Sequence, residues 1–178
     1  YDLSNNATLS GSSITLSNQI GGGASLASKN IVLNTSSTNG SITLNNINIG
    51  QHGTYYGLNS FTANAGTGNL SLSGSSTTWR TNTTNLTGAL NISANISGVG
   101  LAGAGEPGAI FNLTATAASS VTGNITLSTN SSNTFTSNPN ITLTVSGILA
   151  GSNASITKNG SGTLTLSGNN TYNGTTTF

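Results

Sequence analysis

Residues 141–144 read Ile141-Thr142-Leu143-Thr144, an aliphatic side chain at every second place with a hydroxyl between. Period two is the spacing at which a β-strand sends successive side chains to opposite faces. One face of such a strand is aliphatic and suits a core, and the other is small, polar and uncharged. The phrase recurs as Ile14-Thr15-Leu16-Ser17, Ile42-Thr43-Leu44-Asn45, Leu70-Ser71-Leu72-Ser73, Leu90-Asn91-Ile92-Ser93, Ile125-Thr126-Leu127-Ser128 and Leu164-Thr165-Leu166-Ser167. Weaker bursts, Ile31-Val32-Leu33 and Ile110-Phe111-Asn112-Leu113, lie between them. Gly, Asn and Ser clusters bound each burst, as turns require. No window sustains helical periodicity, so the chain is expected to be all-β.

The starts at 14, 42, 70, 90, 125, 141 and 164 are spaced irregularly, about 25 residues apart on average, within the range that suggests stacked repeats. Two architectures fit short alternating strands: a β-sandwich and a parallel β-solenoid. The solenoid is favoured because the inward residues are small aliphatics and aromatics make up only 5%. Asn-rich turns also suit stacking, since side-chain amides can ladder from rung to rung. At about 22 residues per rung the chain makes roughly eight rungs, a stack roughly 40 Å long at about 4.8 Å each. Leu16, Ile42, Leu44, Leu70, Leu72, Ile92, Ile125, Leu127, Ile141, Leu143, Leu164 and Leu166 are expected to point inward, and the intervening Thr and Ser to face solvent.

Composition narrows function further. Of 178 residues, Ser and Thr number 58, Asn 27 and Gly 24, about three-fifths of the chain. Only Asp2, Lys29, Arg80, Glu106 and Lys158 are charged, for a net charge of +1. Three basic residues cannot neutralise a phosphate track, so nucleic acid is not an expected partner. Zero Cys and one His exclude a Cys/His metal site, and no cofactor is implied. Disorder is countered by 18 Leu, 13 Ile and 4 Val, whose burial is worth roughly 50–100 kcal/mol gross, comparable to the ordering cost of a domain. No apolar run approaches the length that crosses a bilayer. With Tyr1 in place of an initiator Met, residues 1–178 are expected to be a mature protein or a single β-solenoid segment of a longer repetitive protein or fibre.

Residues 156–178 read ITKNGSGTLTLSGNNTYNGTTTF. Lys158, Gly160, Gly162, Leu164, Leu166, Ser167, Gly168, Asn170, Tyr172, Gly174 and Thr175 to Thr177 fall where the passenger-associated repeat of bacterial autotransporters has its Lys-x-Gly-x-Gly-x-Leu-x-Leu-Ser-Gly core, Asn-x-Tyr-x-Gly and Thr-rich strand. The segment resembles that repeat. TANAGTGNLSLSGS (62–75) is more loosely similar to the repeats of filamentous-haemagglutinin-type exoproteins. The resemblance implies a right-handed parallel β-helix, exported through an outer-membrane barrel to the exterior of a Gram-negative cell, often as an adhesin or its stalk. It implies no catalytic residue. In the family pattern another apolar strand follows Thr177, so Phe178 reads as mid-strand, with more chain or another subunit expected beyond it.

Few residues are chemically distinctive. Asp2 and Glu106 form the sole possible carboxylate pair, and they are remote in sequence. A Ser-His-acid triad would have to use His52 with one of those acids. Glu106 precedes Pro107 in GAGEPGA, which reads as a turn. QHGTYYG (51–57) gathers the one His with Tyr55 and Tyr56, and Trp79-Arg80 interrupts a Thr-rich stretch. Trp, Tyr and Arg are typical interface anchors, so Tyr55, Tyr56 and Trp79 are the candidate binding residues, against the plainer reading that they pack or cap the solenoid. Asn-x-Ser/Thr occurs 16 times, in part through strand phrases such as Asn-Ile-Thr; the sequons are acceptors only in a glycosylating source, against the plainer reading that Asn- and Thr-rich strands produce them by accident. An ice-binding face would need a regular Thr-x-Thr array, and Ser, Asn and Thr are mixed here.

The expected function is that of an exported surface protein without enzymatic activity, an adhesin stalk or passenger working by extended contact. Its partner would be a glycan or protein of a host or neighbouring cell, or another copy stacked head to tail. The alternatives are a subunit of an extracellular filament and a carbohydrate-active β-helix, the latter weakened by the shortage of carboxylates.

Overall fold

The computed structural model describes residues 6–20, 29–49, 57–75, 77–97 and 108–178. Each of the seven aliphatic–hydroxyl phrases contributes to a strand, and the strands stack in three faces. In chain-order numbering, the first face holds β1 (Ala7–Ser10), β3 (Asn30–Asn34), the start of β5 (Leu58–Ser73), the start of β7 (Thr81–Ile92), β9 (Ile110–Ala115), β12 (Ser132–Ser137), β15 (Ser155–Asn159) and β17 (Thr176–Thr177). The second holds β2 (Ser13–Ile20), β4 (Ser41–Ile49), the ends of β5 and β7, β10 (Ser119–Val121), β13 (Thr142–Val145) and β16 (Thr163–Leu166). The third holds β6 (Thr77–Thr78), β8 (Ile96–Ser97), β11 (Ile125–Thr126) and β14 (Leu149–Ala150).

Every pairing among these strands is parallel. Partners lie one rung apart, from 19 residues (Thr77 to Ile96) to 30 (Ile31 to Phe61). Parallel pairing at that separation cannot arise from hairpins, which pair antiparallel. The architecture is a parallel β-solenoid and not a β-sandwich, with the first face stacking eight strands from β1 to β17. β5 and β7 run across a corner between faces. In β5 the corner is marked by a register shift between Asn64 and Asn69 and by Gly66 at φ 63°.

The core consists of columns of side chains that repeat from rung to rung. Leu16, Leu44, Leu72, Ile92, Val121, Val145 and Leu166 are in register down the second face. Leu33, Ala63, Leu86, Leu113 and Phe135 form a column on the first, and Ile96, Ile125 and Leu149 one on the third. Nine of the twelve aliphatics expected inside are buried, while Ile141, Leu164 and Leu166 are half-buried against the core. For Leu164 and Leu166 the reason is position: among the described strands β16 pairs with β13 alone.

Two features depart from the sequence reading. The interior is not purely aliphatic, because Phe61, Trp79, Phe111 and Phe135 are fully buried. Not every hydroxyl faces outward either. Ser128, expected in solvent, is 8% exposed, and its carbonyl accepts the buried Ser131 hydroxyl at 2.7 Å. Asn133 lies in the interior with its Oδ1 accepting from the Phe111 amide at 2.9 Å and its Nδ2 donating to Ser131 Oγ and the Ser155 carbonyl. A buried amide is tolerated when its donors and acceptor are all paired, and among the described residues no buried side-chain polar atom lacks a partner.

Candidate contact surface

The outward positions of the same strands form their own columns, and these are the molecule's regular surface. Ser10, Asn34, Asn64, Thr87, Thr114, Thr136 and Asn159 are in register down the first face. Thr15, Thr43, Ser71, Asn91, Ser120, Thr144 and Thr165 do the same on the second. Both columns are uncharged and carry only hydroxyls and carboxamides. Like charges at a strand spacing of about 4.8 Å would repel down the whole stack, whereas these groups can bond to one another.

Asparagine does much of that bonding. Asn59 Nδ2 donates to Asn30 Oδ1 at 2.9 Å, Asn112 Nδ2 to Asn85 Oδ1 at 3.0 Å, and Asn153 Nδ2 to Asn130 Oδ1 at 3.0 Å. Other Asn side chains continue the backbone ladder where the strand ends. Asn95 Oδ1 accepts the Asn124 amide and Asn124 Oδ1 accepts the Ile148 amide, at 2.9 and 2.8 Å. Asn46 Oδ1 takes the Ser75 amide and Asn48 Oδ1 the Thr78 amide, both at 2.9 Å. Asn also turns the corners. Every described non-glycine residue with positive φ is Asn: Asn18, Asn39, Asn46, Asn130, Asn140 and Asn153. Its short amide tolerates the left-handed region better than other side chains do. The abundance of Asn in the sequence was the signal; the choice between amide–amide and amide–backbone bonds was not.

The three candidate anchors fare differently. Tyr55 and Tyr56 lie outside the described residues, as do His52, Glu106 and Asp2. Trp79 is 0% exposed, so it offers no surface to a partner, and its assignment as a contact residue is corrected to interior packing. Its bridge with Ile49 turns the indole inward. There it meets Phe61 edge-on, centroids 5.6 Å apart, and Phe111 at 6.2 Å. Room exists because Thr84, in register with both phenylalanines, is a small residue between two large ones. The Thr84 hydroxyl is paired with that of Thr81 at 2.6 Å. Among the described residues no group of three or more His, Cys, Asp or Glu stands close enough to hold a metal ion.

An uncharged parallel solenoid with laddered polar faces is the class of molecule that this geometry defines. Residues 156–178 match the model of the passenger-associated-transport-repeat, the segment that holds β16, β17 and nearly all of β15. The match spans 23 of the 178 residues and is a likeness of that segment to the repeat. No curated protein and no solved structure matches the chain.

Proposed function

We propose that this chain works at the cell surface as the rod of an exported passenger, making extended adhesive contacts with a glycan or protein of a neighbouring or host cell. The observation that carries this reading is the pair of seven-residue uncharged columns above the passenger-associated repeat. A rod built by one-dimensional stacking lengthens without a larger core. Its surface repeats at each rung, so weak contacts can act together. Tyr55 and Tyr56 remain the proposed anchors. The test is to display the chain on cells behind an outer-membrane barrel and to measure adherence to cells and to a glycan array. Adherence removed by external protease and unchanged by added NaCl supports the reading. Failure to reach the surface, loss of adherence in salt, or release of sugar from a polysaccharide would each overturn it.

A further inference from the structure

We propose that Asn159-Gly160 is a self-modification site, at which the fold drives succinimide formation and loss of the Asn159 amide. The chain has three Asn-Gly pairs, at 39–40, 159–160 and 173–174. Glycine after Asn leaves the following amide nitrogen unhindered, and Asn is among the thermolabile residues. The structure treats the three pairs differently. Asn39 Oδ1 accepts the Thr67 amide, and the Gly40 amide donates to the Thr35 carbonyl at 3.2 Å. Asn173 Oδ1 accepts the Asn153 amide, and the Gly174 amide donates to the Ala154 carbonyl at 3.1 Å. In both pairs the carboxamide is bound to another rung and the nucleophile is tied up in a backbone bond.

Asn159 is exposed and its carboxamide is folded back on its own chain. The Gly160 N–H donates to Asn159 Oδ1 at 2.8 Å, so the carboxamide and the amide nitrogen that would attack it are held together within one residue pair and not tied to another rung. Lys158 Nζ donates to the Asn159 carbonyl oxygen at 3.0 Å and also to the Gly160 carbonyl. A cation on the Asn159 carbonyl draws electron density from the 159–160 peptide and makes its N–H easier to deprotonate. The deprotonated Gly160 nitrogen then forms a bond to Cγ, the Cγ–Nδ2 bond breaks, and Nδ2 leaves as ammonia after taking a proton from water. Water opens the resulting imide to aspartate or isoaspartate. Nothing is oxidised or reduced. The new carboxylate takes the formal net charge from +1 to zero.

The experiment incubates the folded chain in mildly alkaline buffer and follows the three pairs by peptide mapping with mass spectrometry, beside a sample kept unfolded in urea. Conversion at Asn159 several-fold faster than at Asn39 and Asn173 in the folded protein, with the three rates drawing together in urea, is the expected result. Lys158→Met should slow Asn159 several-fold in the folded chain and leave the other two unchanged. Equal folded rates at the three pairs, or Asn159 slowest, would overturn the proposal without recourse to any variant. An unaltered Asn159 rate in folded Lys158→Met would overturn the part given to the lysine.

Discussion

Trp79 Nε1 donates a 3.1 Å hydrogen bond to the carbonyl oxygen of Ile47, a residue 32 places earlier and one rung away. The indole therefore has a polar partner and aromatic neighbours inside the core, the arrangement that makes a buried Trp stable.

Trp79→Ala is expected to cost about 3–5 kcal/mol, the range for deleting a large aromatic from a packed core. Trp79→Phe should cost less, about 1–3 kcal/mol, much of it for leaving the Ile47 carbonyl without its donor. Urea titrations of both variants measure this. As the chain's one Trp, it should also emit at short wavelength and resist acrylamide quenching until the rod unfolds. Ready quenching in the native state would contradict its burial.

Facing along a strand is checked by Leu127 and Thr126, neighbours of which one is 3% exposed and the other lies at the surface. Leu127→Ala should cost roughly 2–5 kcal/mol and Thr126→Ala within about 0.5 kcal/mol. Leu166→Ala should fall between, because Leu166 is half-buried against the core.

Close approach between rungs sets a third test. A Cβ built on Gly147 would lie 2.0 Å from the Gly123 carbonyl oxygen, and one on Gly123 the same distance from that of Ala94. Gly147→Ala has to push two rungs apart and should cost about 1–3 kcal/mol, as overpacking does. At Gly11 the nearest atom to such a Cβ is 3.7 Å away, so Gly11→Ala should change stability by no more than about 0.5 kcal/mol. Thermal melts of the two variants under one set of conditions decide it.

The polar ladder is tested at Asn112, whose Nδ2 donates to Asn85 Oδ1 and whose Oδ1 accepts the Thr134 amide at 3.0 Å each. Asn112→Ala should cost about 1–3 kcal/mol, because it strands the Thr134 donor. The neighbouring outward Thr114→Ala should cost at most about 0.5 kcal/mol.

With five charged residues in 178, the rod has little to screen. Its unfolding midpoint should hold steady from low to near-molar NaCl, where exposed ion pairs would weaken. A large shift would point to electrostatic contacts that the uncharged columns do not provide.

Much of this molecule was legible in advance because its strands are locally self-describing. Alternation in Ile42-Thr43-Leu44-Asn45 states which side chains turn in, and the absence of charge states that the outer face can stack. The same logic misplaced Trp79. A lone aromatic beside Arg80 reads as an anchor, and only the rung above and the rung below reveal the gap over Thr84 that receives it. Asn133 hid for a similar reason, since a carboxamide is acceptable inside only when groups 22 residues away on either side complete its bonds.

Local alternation and turn chemistry thus determined, from the sequence by itself, that the chain is all-β, that it repeats, and which face of most strands is apolar. Strand type and facing depend on neighbours within four or five residues, and the repeat shows as the recurrence of that local phrase. Tertiary structure alone decided the register between rungs, and with it which columns run unbroken, which glycines allow two backbones to touch, and which Asn-Gly pair is left open to its own chemistry. Register joins residues 19 to 30 apart, where near-identical polar phrases offer many pairings of similar local energy. The choice among them is made by how the buried side chains of adjacent rungs fill the interior together.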